Sequence, residues 1–389
     1  MRDLVAVDLP NGPDFVEVLR RCWDNGDAFL PVDPRLPGPA RAALFAAVRP
    51  TWVVDAVGKH QLPHGVPIDD GDAIVVATSG TTGHPKGVVL THRAIEASAT
   101  RTNSRLRVDP ERDKWYACLP FAHIGGLSVV LRSIVGGVAF TATNRMESSD
   151  LFDALGAGHT LVSLVVATLH RTDPARWRNI VVGGSAIPEG LSGNIVRTYG
   201  MTETGSGVVY NGLPLADVAI SFDSNQQILL KTPTLARGYR VDGETVPLPN
   251  IDGWFPTGDV GSLAADGTLR VVGRSGDVIV TGGEKVWPDD VERTLATCPG
   301  VKEVAVCAAV DPTWGHAVRA IVVAEADVSL TLAELRNHVK LSLPAYCAPQ
   351  QLVFVDRLPR TPLGKLKRSE LANLRGPLLV KRGKGPDAT

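Results

Sequence analysis

The sequence predicts an α/β fold with a β-rich subdomain and a smaller α+β part towards the C-terminal end. The chain has 389 residues, which is too long for one ordinary hydrophobic core and indicates two or three domains. Strand-like and helix-like runs alternate over residues 4–57 and 115–183, as in sheets built from β-α-β units. Residues 205–272 instead carry short β-like runs separated by Gly, Pro and Asp, and a second mixed pattern fills residues 277–356.

The individual elements follow from the spacing of apolar residues and from the turn residues between them. A strand at Val5–Val7 and a helix at Phe15–Trp23 are separated by the turn Asn11-Gly12. The further predicted strands are Ala73–Ala77, Trp115–Leu119, Val138–Thr141, Thr160–Val166, Asn179–Val182, Glu303–Val310, Ala317–Val323 and Gln351–Val355. The further predicted helices begin near His92 or span Gly126–Val135, Ser149–Leu155, Asp289–Cys298 and Leu332–Leu343.

The composition argues against several classes of protein. The 40 basic and 41 acidic residues nearly balance, which gives no electrostatic reason to expect a nucleic acid or an anionic membrane as a partner. No apolar run approaches the roughly 18 residues that span a bilayer, and the N-terminus lacks the charged-then-apolar pattern of a signal peptide. The five cysteines are scattered without a CxxC spacing, so reduced thiols and a cytoplasmic location are expected.

The most informative stretch is TSGTTGHPKG at residues 78–87, which follows the predicted strand Ala73–Ala77 and precedes the helix near His92. Its glycines let the backbone turn tightly and bring N–H groups close to an anion, while its hydroxyls and Lys86 add donors and a positive charge. The Walker loop is one alternative, but it needs glycine immediately before the lysine and Ser or Thr after it, and the neighbours of Lys86 are proline and glycine. A flexible surface turn is the other alternative. We expect a phosphate-binding loop placed between a strand and a helix.

A second motif, TYGMTET at residues 198–204, follows a short predicted strand that ends near Arg197 and combines the kinds of group that bind nucleotides. An aromatic ring can stack on a purine, a hydroxyl can donate to a phosphate oxygen, and a carboxylate can hold Mg²⁺ against phosphate oxygens. Packing in a core is the ordinary alternative for Tyr199. The run Gly183-Gly184-Ser185 follows the predicted strand Asn179–Val182. Open α/β sheets bind ligands at this end of their strands, although a simple turn is the alternative there.

Other motifs carry one informative residue each. Asp259 ends GWFPTGD, and a carboxylate has enough lone pairs to contact both hydroxyls of a diol. Gly276 lies in RSGD, where a glycine permits large backbone rotations. Lys365 lies in LPRTPLGKLKR, and a lysine on such a loop is usually a solvated charge. His123 lies in PFAHIGGL, and a lone histidine is more often structural than functional.

Taken together and in this order, the motifs resemble those of the acyl-adenylate-forming superfamily, which includes acyl-CoA synthetases, luciferases and nonribosomal adenylation domains. The resemblance runs from about residue 11 to about residue 370. It implies a large multi-layer α/β N-terminal domain with a β-rich subdomain at residues 1–273 and a small mobile α+β C-terminal lid domain at residues 274–372. Residues 373–389 would follow as a tail, and the basic composition of the final dozen residues predicts that they are disordered. The lid would rotate about Gly276 between two half-reactions.

The resemblance also implies a role for each matching residue. Lys365, Thr202 and His123 would be catalytic, with Lys365 stabilising the negative charge that grows when a carboxylate attacks the α-phosphorus of ATP. Glu203 would bind Mg²⁺, and Gly282 and Gly283 would line the tunnel for the thiol. The acyl pocket would be formed by His123, Gly205, Ser206 and Gly207. ATP would be bound by Thr78, Ser79, Gly80, Thr81, Thr82, Lys86, Gly183, Gly184, Ser185, Tyr199, Gly200, Met201, Asp259 and Arg274.

Some stretches resemble one branch of the superfamily, the o-succinylbenzoate-CoA ligases of menaquinone synthesis. They include HIGGL at residues 123–127 and VYNGLPL at residues 209–215. This resemblance implies an ATP-dependent carboxylate-CoA ligase that acts through an acyl-adenylate on an aromatic or o-succinylbenzoate-like acid, with ATP, Mg²⁺ and coenzyme A as cofactors. Such an acid carries a second carboxylate that needs a cationic or strongly donating partner. Arg132 and Arg197 are the candidates, and an ordinary surface or packing role is the alternative for each.

Two alternatives stay open at this point. An adenylating enzyme of a biosynthetic cluster could load another carboxylic acid onto CoA or onto the thiol of an acyl carrier protein. A catalytically degenerate nucleotide-binding protein is the other alternative, but a module without catalysis has no need for Lys365 together with the nucleotide-binding residues. The sequence leaves the oligomeric state open, with a homodimer as one expectation.

Overall fold

The structure is a computed structural model that describes residues 1–79, 85–184, 193–312, 314–326, 328–360 and 366–380. Within these ranges the α-helices are α1 (Pro13–Asp24), α2 (Gly38–Val48), α3 (His92–Leu106), α4 (Ile124–Gly136), α5 (Ser148–Gly156), α6 (Pro288–Leu295), α7 (Leu332–Lys340) and α8 (Arg368–Leu371). None of these described helices combines the length and the apolar character that crossing a membrane requires.

The first strands in chain order are β1 (Leu4–Val7), β2 (Ala28–Pro31), β3 (Trp52–Val54), β4 (Lys59–Gln61), β5 (Asp72–Ser79), β6 (Pro85–Thr91), β7 (Lys114–Ala117), β8 (Ala139–Ala142), β9 (Leu161–Leu164), β10 (Asn179–Val182), β11 (Ile195–Met201), β12 (Ser206–Tyr210) and β13 (Leu213–Pro214). They are followed by β14 (Ala219–Phe222), β15 (Gln227–Lys231), β16 (Gly238–Val241), β17 (Glu244–Pro247), β18 (Phe255–Leu263), β19 (Leu269–Arg274), β20 (Ile279–Thr281), β21 (Glu284–Val286), β22 (Val301–Asp311), β23 (Gly315–Ala324), β24 (Gln351–Phe354) and β25 (Leu378–Val380).

The chain forms two compact units. Unit 1 comprises Met1–Ser221, Leu229–Pro256 and Ala264–Leu269. Unit 2 comprises Phe222–Ile228, Thr257–Leu263 and Arg270–Thr389. The expected domain boundary between residues 273 and 274 stays a prediction.

Unit 1 contains an eight-stranded sheet with the order β17-β16-β6-β5-β2-β1-β3-β4. Strands β2, β1 and β3 are parallel to one another, whereas β5 and β6 form an antiparallel pair. Alternate apolar side chains of these strands pack against Leu44 and Val48 of α2 and are removed from water, which stabilises the layered arrangement.

A seven-stranded sheet of unit 1 has the order β13-β12-β11-β10-β9-β7-β8. Its strands from β8 to β11 run parallel, and β12 returns antiparallel to β11. Helix α5 covers part of this sheet through Leu151 and Ala154, and α3 packs against α4. Helix α3 begins cleanly because Thr91 Oγ1 accepts a hydrogen bond from the backbone N–H of Ala94 at 3.1 Å.

Unit 2 contains a sheet with the order β21-β20-β23-β24-β25, with β22 paired to β23. Helices α6 and α7 pack on it through Val291, Leu295, Leu335 and Val339. A further described sheet has the order β14-β15-β18-β19. The predicted α/β fold class with a β-rich part is therefore confirmed.

The element that comes after the predicted phosphate loop is a strand and not the expected helix. The expected order was strand, loop and helix, but strand β6 lies between residues 80–84 and helix α3. Thr78 pairs with Lys86 across β5 and β6, and the apolar residues of β6 also pair with β16. The run Val88-Val89-Leu90 is buried on both faces, so it forms a strand rather than part of a loop. The helix N-terminus therefore lies at the far end of β6 from the loop.

Two other predictions need correction. The strand before the second motif does not end near Arg197 but continues through Met201 as β11, because it pairs with both β10 and β12. The C-terminal tail was expected to be disordered, but Leu378–Val380 pairs antiparallel with β24 as β25. Residues 381–389 lie outside the described residues.

The cysteines are free thiols, as expected, with Cys22, Cys118, Cys298 and Cys347 buried and Cys307 half-buried.

Candidate functional site

Three side chains of unit 1 meet beside the ends of strands β5 and β6. Lys86 on β6 places its Nζ 3.3 Å from the centroid of the Tyr239 ring on β16. The Tyr239 hydroxyl donates a hydrogen bond of 2.9 Å to Oε1 of Glu203. Burial lowers the pKa of Lys86, and the nearby Glu203 carboxylate opposes that shift. The predicted phosphate lysine and the predicted metal carboxylate are thus brought together through one tyrosine.

Glu203 suits a magnesium ion whose other ligands come from the phosphates of a bound nucleotide. Among the described residues, no group of three His, Cys, Asp or Glu side chains converges as a metal cage. Mg²⁺ is usually held by one or two carboxylates together with substrate phosphates, so a single half-buried carboxylate fits it. The buried Oγ1 of Thr78, at the end of β5, has no hydrogen-bond partner within the described part of the chain. A buried hydroxyl of this kind fits a phosphate oxygen as its acceptor.

The predicted nucleotide residues of the second motif lie on β11 and in the turn after it. Tyr199, Gly200 and Met201 end the strand, and Thr202–Thr204 form a 3-10 turn. A Cβ at Gly200 would lie 2.3 Å from the backbone oxygen of Ser206, so only glycine fits where β11 and β12 approach at a bulge. This close approach fixes the start of the turn that carries Thr202 and Glu203.

Gly183 and Gly184 follow β10 in unit 1. A Cβ at Gly183 would lie 2.6 Å from Oγ1 of Thr198, whose hydroxyl donates to the backbone oxygen of Val182 at 3.0 Å. Gly184 has a φ of 86°, which favours glycine. The structure therefore brings Gly183 next to the second motif, as both lie at the same end of neighbouring strands.

Arg132 on α4 is a buried cation in unit 1. Arg132 is only 3% exposed, and its guanidinium carbon lies 5.2 Å from the centroid of the Trp115 ring. Nε donates to the backbone oxygen of Ser128 at 2.9 Å, and Nη2 donates to Ser128 Oγ at 2.6 Å and to Ser206 Oγ at 3.1 Å. Nη1 is buried without a hydrogen-bond partner within the described residues.

A small pocket lies beside this guanidinium. It is lined by Ile95, Ser98, Ala99, Ser128, Leu131, Arg132 and Gly205. The structure therefore brings together Arg132 and two of the predicted acyl-pocket residues, Gly205 and Ser206. Arg197, the other candidate for binding a second carboxylate, lies on β11 and is half-buried outside this lining.

His123 precedes the first residue of α4. Its Nε2 lies 3.8 Å from Oδ2 of Asp33, and its side chain is 40% exposed. Burial lowers the pKa of His123, while the carboxylate of Asp33 opposes this shift. A neutral imidazole is therefore favoured near pH 7, which suits an uncharged wall of an acyl pocket.

The start of α4 depends on a close approach at Gly126. A Cβ there would lie 2.4 Å from the backbone oxygens of both Leu119 and Pro120, whereas a Cβ at Gly125 would meet nothing within 4 Å. We expect Gly126→Ala to reduce the free energy of unfolding by about 1–3 kcal/mol, because backbone atoms cannot yield as a side chain can. Gly125→Ala is the matched control and is expected to be neutral or stabilising, since alanine favours a helix. Denaturant unfolding of the two variants measures the difference, and equal stabilities would contradict the close approach.

In unit 2, Asp259 on β18 and Arg274 on β19 form an ion pair. Nε of Arg274 lies 2.7 Å from Oδ1 of Asp259, whose side chain is 9% exposed. Thr257 Oγ1 accepts a hydrogen bond of 3.0 Å from the backbone N–H of Asp259 and donates one of 2.9 Å to the backbone oxygen of Ile228. The two residues expected to contact the ribose are therefore brought together.

The predicted hinge Gly276 lies in a short 3-10 turn, Ser275–Asp277, and a Cβ there would meet nothing within 4 Å. Close to it in unit 2, Arg368 forms a cluster with Asp277, Asp289 and Glu292. Its Nη1 and Nη2 each donate to Glu292 at 2.9 Å, Nη2 also contacts Asp289, and Nε lies 3.4 Å from Asp277. The cluster ties the turn Ser275–Asp277 to α6 and to α8.

Gly282 and Gly283 form the two-residue turn between β20 and β21. Their φ angles are 58° and 88°, which a two-residue hairpin with the right-handed twist of strands requires. A Cβ at Gly282 would lie 2.6 Å from Cε3 of Trp314. The two glycines have a structural reason to be present, and their place in a thiol tunnel stays a prediction.

Some predicted site residues lie outside the described residues. They are Gly80, Thr81, Thr82, Ser185 and Lys365. Conversely, sequence reasoning missed Tyr239, which contacts both Lys86 and Glu203. The only signal for it is a Gly-Tyr-Arg run at residues 238–240, within a region of short β-like segments.

The sequence matches the AMP-binding enzyme family over residues 55–234 and the AMP-binding enzyme C-terminal domain over residues 290–365. The chain belongs to this family, so the predicted membership of the acyl-adenylate-forming superfamily is confirmed. Among curated proteins it is 37% identical to a protein from Mycobacterium tuberculosis named "Probable 2-succinylbenzoate--CoA ligase", over 88% of this chain and 94% of that protein.

Solved structures agree with the fold. One is o-succinylbenzoate CoA synthetase (MenE) from Bacillus subtilis in complex with the acyl-adenylate intermediate OSB-AMP, with a TM-score of 0.82 and 26% identity over 96% of this chain and 89% of that chain. A structure of the same enzyme in complex with ATP and magnesium ion has a TM-score of 0.81 and 26% identity, over 95% of this chain and 89% of that chain. The chain thus resembles ligases that activate a carboxylic acid through an adenylate.

Proposed function

We propose that the protein is an ATP-dependent 2-succinylbenzoate-CoA ligase that acts through an acyl-adenylate. Family membership and the names of the relatives support the class of reaction. The observation that carries the substrate class is Arg132, because it is a buried cation whose Nη1 has no hydrogen-bond partner within the described residues. A dicarboxylic acid fits this observation, because one carboxylate can be activated by ATP while the second pairs with the guanidinium of Arg132.

The physical argument rests on the cost of burying a charge. Removing a guanidinium from water costs several kcal/mol unless an anion or sufficient hydrogen bonds compensate. Ser128 and Ser206 satisfy part of Arg132, and the Trp115 ring adds a cation–π contact. Burial lowers the pKa of Arg132, but an arginine stays protonated at neutral pH. A substrate carboxylate beside Arg132 would supply the missing charge and an acceptor for Nη1.

The reaction has two steps. In the first, a carboxylate oxygen of the acid attacks the α-phosphorus of ATP, the bond to the bridging oxygen breaks, and pyrophosphate leaves with the electron pair. In the second, the sulfur of a thiol attacks the carbonyl carbon of the acyl-adenylate, AMP leaves with the electron pair, and the thiol proton passes to solvent.

The residues of this chain have defined parts in the first step. Lys86 and the hydroxyl of Thr78 bind phosphate oxygens, Tyr199 stacks on the adenine, and Asp259 with Arg274 binds the ribose. Lys365 and Thr202 stabilise the charge that grows on the reacting oxygens. A magnesium ion, when bound at Glu203, supplies charge neutralisation for the phosphates. His123 and residues 205–207 form the acyl pocket.

The second step uses coenzyme A as the acceptor, with the lid rotated about Gly276 and the thiol passing Gly282 and Gly283. The phosphopantetheine thiol of an acyl carrier protein is the alternative acceptor. A cytoplasmic location and a homodimer complete the proposal. Gel filtration with light scattering tests the homodimer independently of activity.

Pyrophosphate release with ATP, Mg²⁺ and a panel of carboxylic acids tests the proposed function. Release with 2-succinylbenzoate, followed by a CoA thioester in the presence of CoA, supports the proposal. Release with other acids alone would keep the class of ligase and refute the substrate. If the thioester forms only on an acyl carrier protein, the acceptor is the phosphopantetheine thiol and not CoA. Absence of pyrophosphate release across the whole panel would favour a degenerate nucleotide-binding protein.

Arg132→Met tests the substrate class within the active enzyme. We expect kcat/KM for 2-succinylbenzoate to fall about tenfold to a hundredfold, which corresponds to losing a hydrogen-bonded charge pair. The comparison acids are 4-oxo-4-phenylbutanoate and 2-butanoylbenzoate, which each lack one of the two carboxylates. One of these two monoacids still carries the carboxylate that is activated. With that monoacid, we expect the wild-type enzyme and Arg132→Met to have the same kcat/KM.

Arg197→Met is the matched control, because it removes the same type of side chain outside the pocket lining. It is expected to leave the preference for the diacid unchanged. If Arg132→Met reduces kcat/KM equally for the diacid and the monoacid, Arg132 shapes the fold instead of binding the second carboxylate. Thermal unfolding of each variant shows whether packing has changed.

A further inference from the structure

Tyr239 links two residues that the sequence motifs assign to the nucleotide site. It lies on β16, which pairs antiparallel with β6 so that Tyr239 is opposite Val88. Because side chains alternate along a strand, Lys86, Val88 and Tyr239 share one face of the sheet. The tyrosine therefore reaches Lys86 from the neighbouring strand and Glu203 from the turn after β11.

The hydroxyl of Tyr239 restricts the carboxylate of Glu203. A deprotonated carboxylate can only accept, so the phenol donates its proton to Oε1 at 2.9 Å. This hydrogen bond fixes the side chain and leaves Oε2 for another ligand. In metal sites, hydrogen bonds to a ligating carboxylate set its orientation, and their loss typically weakens metal binding about 10–100-fold.

The ring of Tyr239 acts on Lys86. The ammonium lies 3.3 Å from the ring centroid, within the range in which the negative face of an aromatic ring attracts a cation. Both strands are held in the eight-stranded sheet, so the ring has a fixed place relative to β6. One side chain thus orients both the carboxylate and the ammonium.

We propose that Tyr239 is a positioning residue for the Mg²⁺·triphosphate site, with its hydroxyl orienting Glu203 and its ring orienting Lys86. The inference rests on the proposed function, in which these two residues bind the metal and the phosphates. Tyr239 itself does not contact the reacting atoms. The two contacts predict separate defects, one in metal binding and one in binding the phosphates without metal.

Tyr239→Phe and Tyr239→Leu separate the two contacts. Calorimetric titration with ATP at a series of Mg²⁺ concentrations measures the apparent affinity for the metal, and titration in EDTA measures metal-free ATP binding. We expect Tyr239→Phe to weaken the apparent affinity for Mg²⁺ about 10–100-fold and to leave metal-free ATP binding unchanged. Tyr239→Leu is expected to show the same metal defect and to weaken metal-free ATP binding about threefold or more, because the ring is also lost.

Tyr210→Phe is the matched control for loss of a phenol hydroxyl. Tyr210 lies in the same unit and its hydroxyl is 3.0 Å from Oγ1 of Thr102, so this variant can alter stability but not the dependence on Mg²⁺. If Tyr239→Phe keeps the wild-type Mg²⁺ dependence while the wild-type enzyme releases pyrophosphate, the positioning role is refuted and the proposed function stands. If the metal defect is present but the wild-type protein releases no pyrophosphate with any acid, the proposed function fails and the positioning role stands.

Discussion

Lys365→Ala is expected to slow pyrophosphate release at least about 100-fold while leaving the transfer of a supplied acyl-adenylate to the thiol intact. The reason is that negative charge grows on the carboxylate and phosphate oxygens only in the first step. A positioned ammonium stabilises that charge in the transition state, and removing one such group typically costs about 100–1000-fold in rate. Single-turnover assays of each step, with pyrophosphate and thioester as the products measured, provide the test.

Lys367→Ala is the matched control from the same motif. Lys367 forms an exposed ion pair with Glu370, with Nζ 2.9 Å from Oε1, and such pairs contribute little to stability. Its loss is expected to leave both steps within about twofold of wild type. Equal losses of both steps in Lys365→Ala would refute the assigned role.

Gly276→Pro is expected to reduce thioester formation at least about 100-fold and to change pyrophosphate release by less than about threefold. Proline fixes φ near −65° and removes the backbone N–H, so a rotation of the chain at this position is blocked. The structure has room for a side chain here, because a Cβ at Gly276 meets nothing within 4 Å. Rapid-quench measurements of the acyl-adenylate and the thioester separate the two steps.

Gly276→Ala controls for the added carbon atoms without blocking the rotation. It is expected to form thioester at close to the wild-type rate. A comparable loss of pyrophosphate release in Gly276→Pro would show that proline disturbs the adenylating arrangement itself. A normal rate of thioester formation would place the hinge at another residue.

The sequence predicted elements well where one physical signal dominates. Strand β10 has the predicted bounds Asn179–Val182, and α4 extends the predicted Gly126–Val135 by only a few residues. Both are predominantly apolar segments that are bounded by turn residues. Strand β6 was missed because it begins with Pro85 and contains Gly87, residues that are typical of loops, and its pairing with β5 and β16 decides its conformation.

The site was predictable to the extent that its residues lie in contiguous motifs. Lys86 and Glu203 are each in such a motif, whereas Tyr239 reaches them only through the pairing of β16 with β6. Arg132 and Arg197 could not be distinguished in the sequence, since both are single arginines within apolar runs. Burial separates them, because Arg132 is enclosed between α4 and β12 while Arg197 is only half-buried.

The ion cluster around Arg368 has a consequence for the kinetics of the proposed rotation about Gly276. Asp277, Asp289, Glu292 and Arg368 all lie after Gly276 in the chain. With Gly276 as the pivot, these four groups move together, and no ion pair among them has to open or become rehydrated during the movement. The activation barrier of the proposed rotation would therefore contain no contribution from separating these charges, and the cluster would add no salt dependence to its rate.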